Sequence, residues 1–511
     1  MKTRRHTRRD FLRAVGVGAA AISAPRLLRG APAASRRDRP NILFIMVDDL
    51  GKEWVSCCGA EDIQTANLDA LAAGGMRFTN AYSMPQCTPT RVTLLTGQYP
   101  WRTGWVNHWD VPRWGVGYFD WKHHTTFARI LKTAGYVTAA AGKWQINDFR
   151  VSPDAMKRHG FDEWCLWTGY ETGNPPSGKR YMDAYINTPQ GSRTHAGKFG
   201  PDVYTDFLID FVRRHRDKPM CLYFPMCLTH GPLVATPDEP DAKDGPSKHK
   251  AMVRYVDKLV GRLVKALDDA GIRGETIIVF STDNGSGGGI AGTRNGRKVK
   301  GGKAKKNEAG VCAPFIVNGP GRVPAGVVTD ALTDFTDLLP TFAELGGAKV
   351  PGDLKIDGVS IAPVMLGKAT DSPREWIMAL GHGAARLDEK GVRGQNDFAD
   401  RVIRDKRFKV WVDTNRKITH LHDLKADPWE EKNLIDSKDP PCVAALRKFQ
   451  AVVDSMPAKD ARPKYDPRPA SPWDRKAGAV KPKKGAKEGK AKKDRAARRA
   501  AKRAKQAADG D

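Results

Sequence analysis

A chain of 511 residues, 40% of them hydrophobic, can bury a large core in two or more structural units, which excludes a protein disordered throughout. Its formal charge of +27 is concentrated at the ends: residues 1–39 and 476–511 contribute +9 and +10, leaving +8 for everything between them. A body so nearly balanced lacks the dense basic surface of a nucleic-acid-binding domain, and no specific nucleic-acid partner is expected.

The chain opens with Thr7-Arg8-Arg9-Asp10-Phe11-Leu12-Arg13, a weakly apolar run over 14–24, and small residues at Ala31-Pro32-Ala33-Ala34. This resembles a twin-arginine export signal, because the run is too short and too rich in Gly and Ala to span a bilayer. Residues 1–34 are therefore expected to engage the twin-arginine translocation machinery and deliver an exported, periplasmic or secreted protein. No later stretch is long and apolar enough to cross a membrane, so a soluble mature protein is expected. Such an address permits disulfides. The eight cysteines (Cys57, Cys58, Cys87, Cys165, Cys221, Cys227, Cys312 and Cys442) lack zinc-site spacing, and most are expected to be buried free thiols.

Four segments then repeat one pattern, an apolar run of strand length ending in polar residues. They are 41–47 before Asp48-Asp49, 135–141 before Lys143, 220–226 before His230, and 276–280 before Asp283-Asn284. Runs that are apolar throughout suit strands buried on both faces of a largely parallel sheet. Helical patterns lie between them at 67–74, 127–134, 204–215 and 249–270. This alternation predicts a layered α/β fold, and in such folds ligands gather beyond the carboxyl ends of the strands. The four polar clusters are therefore expected to converge. Further on, 407–412 and 418–424 alternate polar and apolar residues across the turn-prone Asp413-Thr414-Asn415-Arg416, which reads as an antiparallel hairpin. The expected fold class is α/β: a large mixed, mostly parallel sheet sandwiched by helices over 39–375. A smaller C-terminal α+β domain with an antiparallel sheet follows over 376–470, then a basic disordered tail over 471–511.

Chemistry concentrates first at Cys87-Thr88-Pro89-Thr90-Arg91, continued by Leu94-Leu95-Thr96-Gly97. Pro89 sits just inside a helix start, and Arg91 falls one turn after Cys87 on the same face. The helix N-terminus offers unpaired amides to an anion, and the guanidinium adds a charged fork for sulfate or phosphate oxygens. Asp48, Asp49, Asp283 and Asn284, each just past a predicted strand, form an all-oxygen set that favours one hard cation, Ca2+ or Mg2+.

These residues match the formylglycine-dependent sulfatases, whose signature is Cys or Ser, then x-Pro-x-Arg, then a Leu-Thr-Gly segment. The resemblance continues through Arg39-Pro40-Asn41-Ile42-Leu43-Phe44, Thr65-Ala66-Asn67-Leu68-Asp69, Asp283-Asn284-Gly285, the segment 334–341 and Leu421-His422-Asp423-Leu424, so it covers roughly 39–440 in the family's order. It implies that a separate maturation enzyme oxidises Cys87 to formylglycine, and that the modified side chain completes the metal shell and supplies the nucleophile. It further implies that Arg91, Lys143 and Lys303 bind the sulfate group and that His230 contacts the substrate and protonates the leaving oxygen. Two positions depart from the family. Gln145 stands where many members have His, two residues after Lys143, which moves a base to one of His108, His123 or His124. Cys312 stands where Arg is frequent.

The expected substrate is a sulfate ester on a sulfated carbohydrate. The segments 107–121 and 170–200, rich in Trp, Tyr, Gly and Asn, suit stacking on sugar rings. The basic tail is read as a tether to an anionic polymer. Two alternatives remain open: a phosphodiesterase or phosphonate monoester hydrolase of the same superfamily, and a polyanion-binding surface protein with a dead site.

Overall fold

The computed structural model of the protein describes residues 39–108, 118–384, 386–388, 391–393, 396–467, 469 and 471–473. The segment read as an export signal, residues 109–117 of the aromatic-rich loop, and the basic tail from residue 474 onward lie outside the described residues.

The first strand, β1 (Asn41–Val47), is buried along its whole length. Its residues alternate between two cores. Ile42, Phe44 and Met46 join a cluster with Phe127, Leu338 and Phe342 on one face of the sheet. Leu43, Ile45 and Val47 join Leu68, Leu208 and Val256 on the other. This is why the strand shows no polar–apolar alternation: helices cover both sides. The next strands in chain order are β2 (Gly75–Tyr82), the short β3 (Asn107–His108), β4 (Val137–Lys143), β5 (Glu163–Trp167), β6 (Tyr185–Thr188), β7 (Gly191–Thr194), β8 (Met220–Pro225) and β9 (Thr276–Thr282). A hairpin, β10 (Ala291–Arg294) and β11 (Arg297–Lys300), precedes β12 (Phe315–Asn318) and β13 (Val327–Asp334).

Ten of these form one sheet in the order β13-β2-β12-β9-β1-β8-β4-β5-β6-β7. The five central strands, β9, β1, β8, β4 and β5, run parallel. β12 enters antiparallel between β9 and β2, and β6 and β7 close the far edge antiparallel. Helices 66–73, 200–215 and 245–269 cover one face, and helices 127–133 and 338–345 the other. The strand expected at 135–141 runs two residues later, so Lys143 ends it rather than following it. Pro225 ends β8, one residue before the end of the expected run.

The C-terminal part carries a four-stranded antiparallel sheet of Ile377–Leu380, Arg401–Arg404, Phe408–Val412 and Ile418–Asp423, in that order. Helix Pro440–Ser455 packs on it through Phe449 and Val453, in a core that also takes in Tyr82, Met84 and Tyr99 from the larger part. A buried charge cluster ties the two together. Lys409 lies 3.0 Å from both Glu308 and Glu430, and Arg404 lies 3.1 Å from Glu308. All eight cysteines are free.

Candidate active site

Four neighbouring parallel strands end on the same side of the sheet, and each delivers polar residues at its end or just beyond it. Asp48 and Asp49 come from β1, Asp283 and Asn284 from β9, Lys143 from β4, and His230 from the loop after β8. Parallel strands in register place their carboxyl ends side by side, so residues far apart in sequence meet. Asp49 adopts φ 63° and Gln145 φ 68°. Left-handed backbone at non-glycine residues costs on the order of 1 kcal/mol each and collects at working sites. Two glycines are required by close approach. A Cβ on Gly142 would lie 2.0 Å from the Pro225 carbonyl, and one on Gly285 would lie 1.8 Å from that of Ala309.

Cys87 begins helix Cys87–Thr96, every residue of which is buried. Gln86 at the cap makes no side-chain bond to the helix, so capping consumes none of the first amides. Thr90 Oγ1 donates to the Asp283 carbonyl at 2.6 Å and pins the helix against the end of β9. Arg91 is 1% exposed; its Nη1 donates to the Lys143 carbonyl at 2.7 Å and its Nη2 to Asp283 Oδ2 at 3.1 Å. Lys143 Nζ donates to Asp48 Oδ2, and Lys303 Nζ donates to Asp49 at 2.7 Å. His230 Nε2 faces Asp49 Oδ2 at 3.7 Å. Asp48, Asp49, Cys87, Arg91, Lys143, His230, Asp283, Asn284 and Lys303 therefore come together in one cluster.

Three carboxylates buried together are not balanced evenly by these cations. Burial opposes ionisation of Asp48, but Lys143, His230 and Arg91 hold its carboxyl well below the usual range. Burial and the neighbouring Asp48 charge raise Asp283 well above its usual value in spite of Arg91. Burial pushes the His230 imidazole down to about 4, while Lys303 is held up against burial by Asp49. Asp48 Oδ1 and Asn284 Oδ1 are buried without a hydrogen-bond partner. The ligand atoms of Asp48, Cys87 and Asp283 lie within 4.8 Å of one another, as do those of Asp48, Asp49 and His230. Orphaned oxygens and clustered buried carboxylates are what a hard divalent cation would satisfy, so this donor set fits one.

The three histidines considered for the missing base have different fates. His108 Nδ1 lies 3.2 Å from Cys87 Sγ, and its Nε2 lies 3.5 Å from Gln145 Nε2. His123 instead meets Asp466 at 3.1 Å, and His124 stacks on Phe119 in the core. Cys312 accepts from Lys52 Nζ at 2.9 Å, away from this network. Sequence reasoning did not single out Arg180, whose Nη1 lies 3.3 Å from His230 Nδ1. Nor did it find Ser286, whose hydroxyl accepts from the Gly51 amide at 2.9 Å. Neither sits in a recognisable motif, and only the fold brings them in.

This fold and this cluster define a hydrolase for charged esters, and comparison with known proteins narrows it. The family model described as Sulfatase matches residues 40–348, and that described as N-sulphoglucosamine sulphohydrolase, C-terminal, matches residues 303–451. N-acetylgalactosamine-6-sulfatase of Canis lupus familiaris is 33% identical over 374 residues, which is 67% of this chain and 69% of that protein. Arylsulfatase A of Bos taurus is 32% identical over 466 residues, 80% of this chain and 86% of that one. The solved structure of Ps i-CgsB in complex with k-i-k-neocarrahexaose aligns with a TM-score of 0.70 at 26% identity, covering 84% of this chain and 94% of the other. The chain belongs to the sulfatase family and is a sulfuric ester hydrolase.

Proposed function

We propose that this sulfatase removes sulfate from a sulfated carbohydrate, using a formylglycine made from Cys87 by a maturation enzyme and one divalent cation, Ca2+ or Mg2+. The observation that carries the reading is Cys87 at the start of a buried helix, within 4.8 Å of Asp48 and Asp283. Relatives support the substrate class: one is named for N-acetylgalactosamine 6-sulfate chemistry, and another was solved with a carrahexaose. Asp48, Asp49, Asp283, Asn284 and the modified residue would hold the cation. When bound, the cation and the formylglycine supply the nucleophile and part of the charge neutralisation.

The remaining work falls to side chains of this chain. Arg91, fixed by Lys143 O and Asp283, keeps the start of the helix charged and in place for an anion. Lys143 and Lys303 neutralise the sulfate oxygens, and His230 presents Nε2 to the leaving oxygen. His108 Nδ1, beside position 87, takes the proton that Gln145 cannot. Residues 1–34 direct export through the twin-arginine route to a periplasmic or secreted location. The basic tail tethers the enzyme to an anionic polymer.

The test pairs a peptide mass across residue 87 with a substrate panel. Protein co-expressed with a maturation enzyme is expected to show conversion at residue 87 and metal-dependent sulfate release from sulfated sugars. Faster turnover of a phosphodiester than of any sulfate ester would refute the proposal.

A further inference from the structure

Between Asn284 and Asn307 the chain carries seven Lys/Arg and no Asp/Glu. Lys303 belongs to the site, but the reaction as described leaves the other six unused. Three of those are engaged elsewhere: Arg297 pairs with Glu431, Lys306 pairs with Asp400 at 2.7 Å, and Arg294 lies 5.9 Å from the centre of the Trp429 ring. Lys298, Lys300 and Lys305 are exposed and have no carboxylate partner among the described residues. Glu61 and Asp62 flank the β10–β11 hairpin, yet they accept from the backbone amides of Gly296 and Thr293, each at 2.6 Å. A run of like charges is ordinarily a solvated face. Two features of the backbone set this one apart.

The first is how the hairpin is seated. Gly292 pairs with Val299 and shares its face, which is pressed onto the loop after β1. Val299 is buried, and a Cβ on Gly292 would lie 2.8 Å from the Glu53 carbonyl. Side chains alternate along a strand, so Lys298 and Lys300 both project from the opposite face, about 7 Å apart. The second is the glycine run Gly287-Gly288-Gly289, which leads from the end of β9 into the hairpin. None of the three has a positive φ, and a Cβ on any of them would meet no atom within 4 Å. Neither conformation nor packing calls for glycine there. Gly301 and Gly302, which join Lys300 to Lys303, add no side chains, and Gly301 packs directly on Gly287, where its Cβ would lie 2.1 Å from the carbonyl. The surface between Lys303 and the outward lysines is therefore bare backbone that a ligand can approach closely.

We infer that this strip, glycine backbone beside Lys303 followed by Lys300 and Lys298 on β11, binds a polyanionic chain: the sulfated sugars that flank the one being hydrolysed. The inference rests on the sugar-sulfate reading proposed above. Charge complementarity selects the partner. Lysine ammonium groups meet sulfate oxygens as point charges on flexible stems and so accept sulfates at varied spacing, while the bare floor leaves room for the rings. The two lysines alone span about 7 Å and begin three residues from Lys303, so the strip is longer than one sugar ring. A monosaccharide in the site leaves them untouched, whereas a chain reaches them.

The test uses the full-length, matured, metal-loaded protein, so that the basic tail is the same throughout, and the monosaccharide sulfate turned over fastest in the substrate panel. Dextran sulfate is added as a competing chain and inorganic sulfate as a competitor without one. Replacing both lysines, Lys298→Gln with Lys300→Gln, is expected to raise the inhibition constant of dextran sulfate about 10-fold at low salt and far less at high salt. Turnover of the monosaccharide and inhibition by inorganic sulfate should stay unchanged. Gly288→Val, which adds bulk without charge, is expected to raise the same constant by about 5-fold at an unchanged thermal midpoint. An unaltered dextran sulfate constant in either variant, or a parallel loss of monosaccharide turnover in the double variant, would overturn the inference. If the unsubstituted protein turns over no sugar sulfate at all, the reading beneath it is wrong and the inference falls with it.

Discussion

At the scale of single residues, the three site carboxylates are matched in number by Arg91, Lys143 and Lys303 but are not held equally, and that inequality gives a direct expectation for the metal. Asp283 is raised by burial and by Asp48, so an incoming cation would find a carboxyl it can ionise. Asp283→Ala removes a ligand, a charge and the Arg91 Nη2 partner together. Metal content measured by mass spectrometry is expected to fall below one ion per chain, with activity lost in parallel; full metal occupancy in this variant would remove Asp283 from the donor set. His108 allows a sharper test, because His108, His123 and His124 crowd the same stretch and only one reaches residue 87. His108→Ala is expected to lower kcat by about 100-fold with little change in thermal midpoint, while His123→Ala leaves kcat unchanged. Comparable losses in both variants would assign the effect to the loop and not to the ring at Cys87.

At the scale of elements, the C-terminal sheet is attached to the large sheet through charge as well as apolar packing. Lys409 is fully buried between Glu308 and Glu430, and Arg404 shares Glu308. These cations hold Glu308 well below the usual carboxylate range although burial works against it. Removing one partner of a buried network strands the others. Lys409→Met is therefore expected to destabilise the protein by about 3 kcal/mol, read as a lower denaturant midpoint. The loss should appear first as detachment of the C-terminal sheet, visible as faster amide exchange across Phe408–Val412 than across β1. Uniform exchange in both places would mean that the two parts unfold as one unit.

At the scale of the whole molecule, two core histidines set a lower limit on pH. Burial pushes His124 down to about 4 and His159 down to about 3, and both rings stack on Phe119. The unfolded chain binds protons at these rings near pH 6.5, whereas the folded chain resists until far lower. Stability is therefore fully present above about pH 6.5 and falls as the pH drops toward 4 and 3, by about 2 kcal/mol per ring at pH 5. Urea midpoints measured from pH 7 to 5 should fall, and the slope should be shallower in His159→Gln; an unchanged slope would clear that ring. The basic tail belongs to the same scale. Its lysines and arginines repel one another and bring no apolar face. Deleting residues 477–511 is expected to leave turnover of a small sulfate ester unchanged while weakening salt-sensitive retention on an anionic matrix.

The sequence by itself determined the parts that rest on local pattern and chemistry. Uniformly apolar runs marked β1, β8 and β9 as strands covered on both faces, and Cys87, Pro89 and Arg91 marked a helix start. The carboxylates that follow β1 and β9 were expected to meet, and they do. Element ends were read less well. Lys143 closes β4 because strand length is decided by pairing with β5 and β8, which a local run does not reveal. What only the tertiary structure decided is which lone side chains complete the site. Among three nearby histidines, His108 meets Cys87 while His124 turns into the core. Arg180, on a loop with no motif, arrives behind His230. Spacing encodes neighbours along a strand or helix; contacts between loops at the end of a sheet depend on strand order, and strand order is a property of the folded chain.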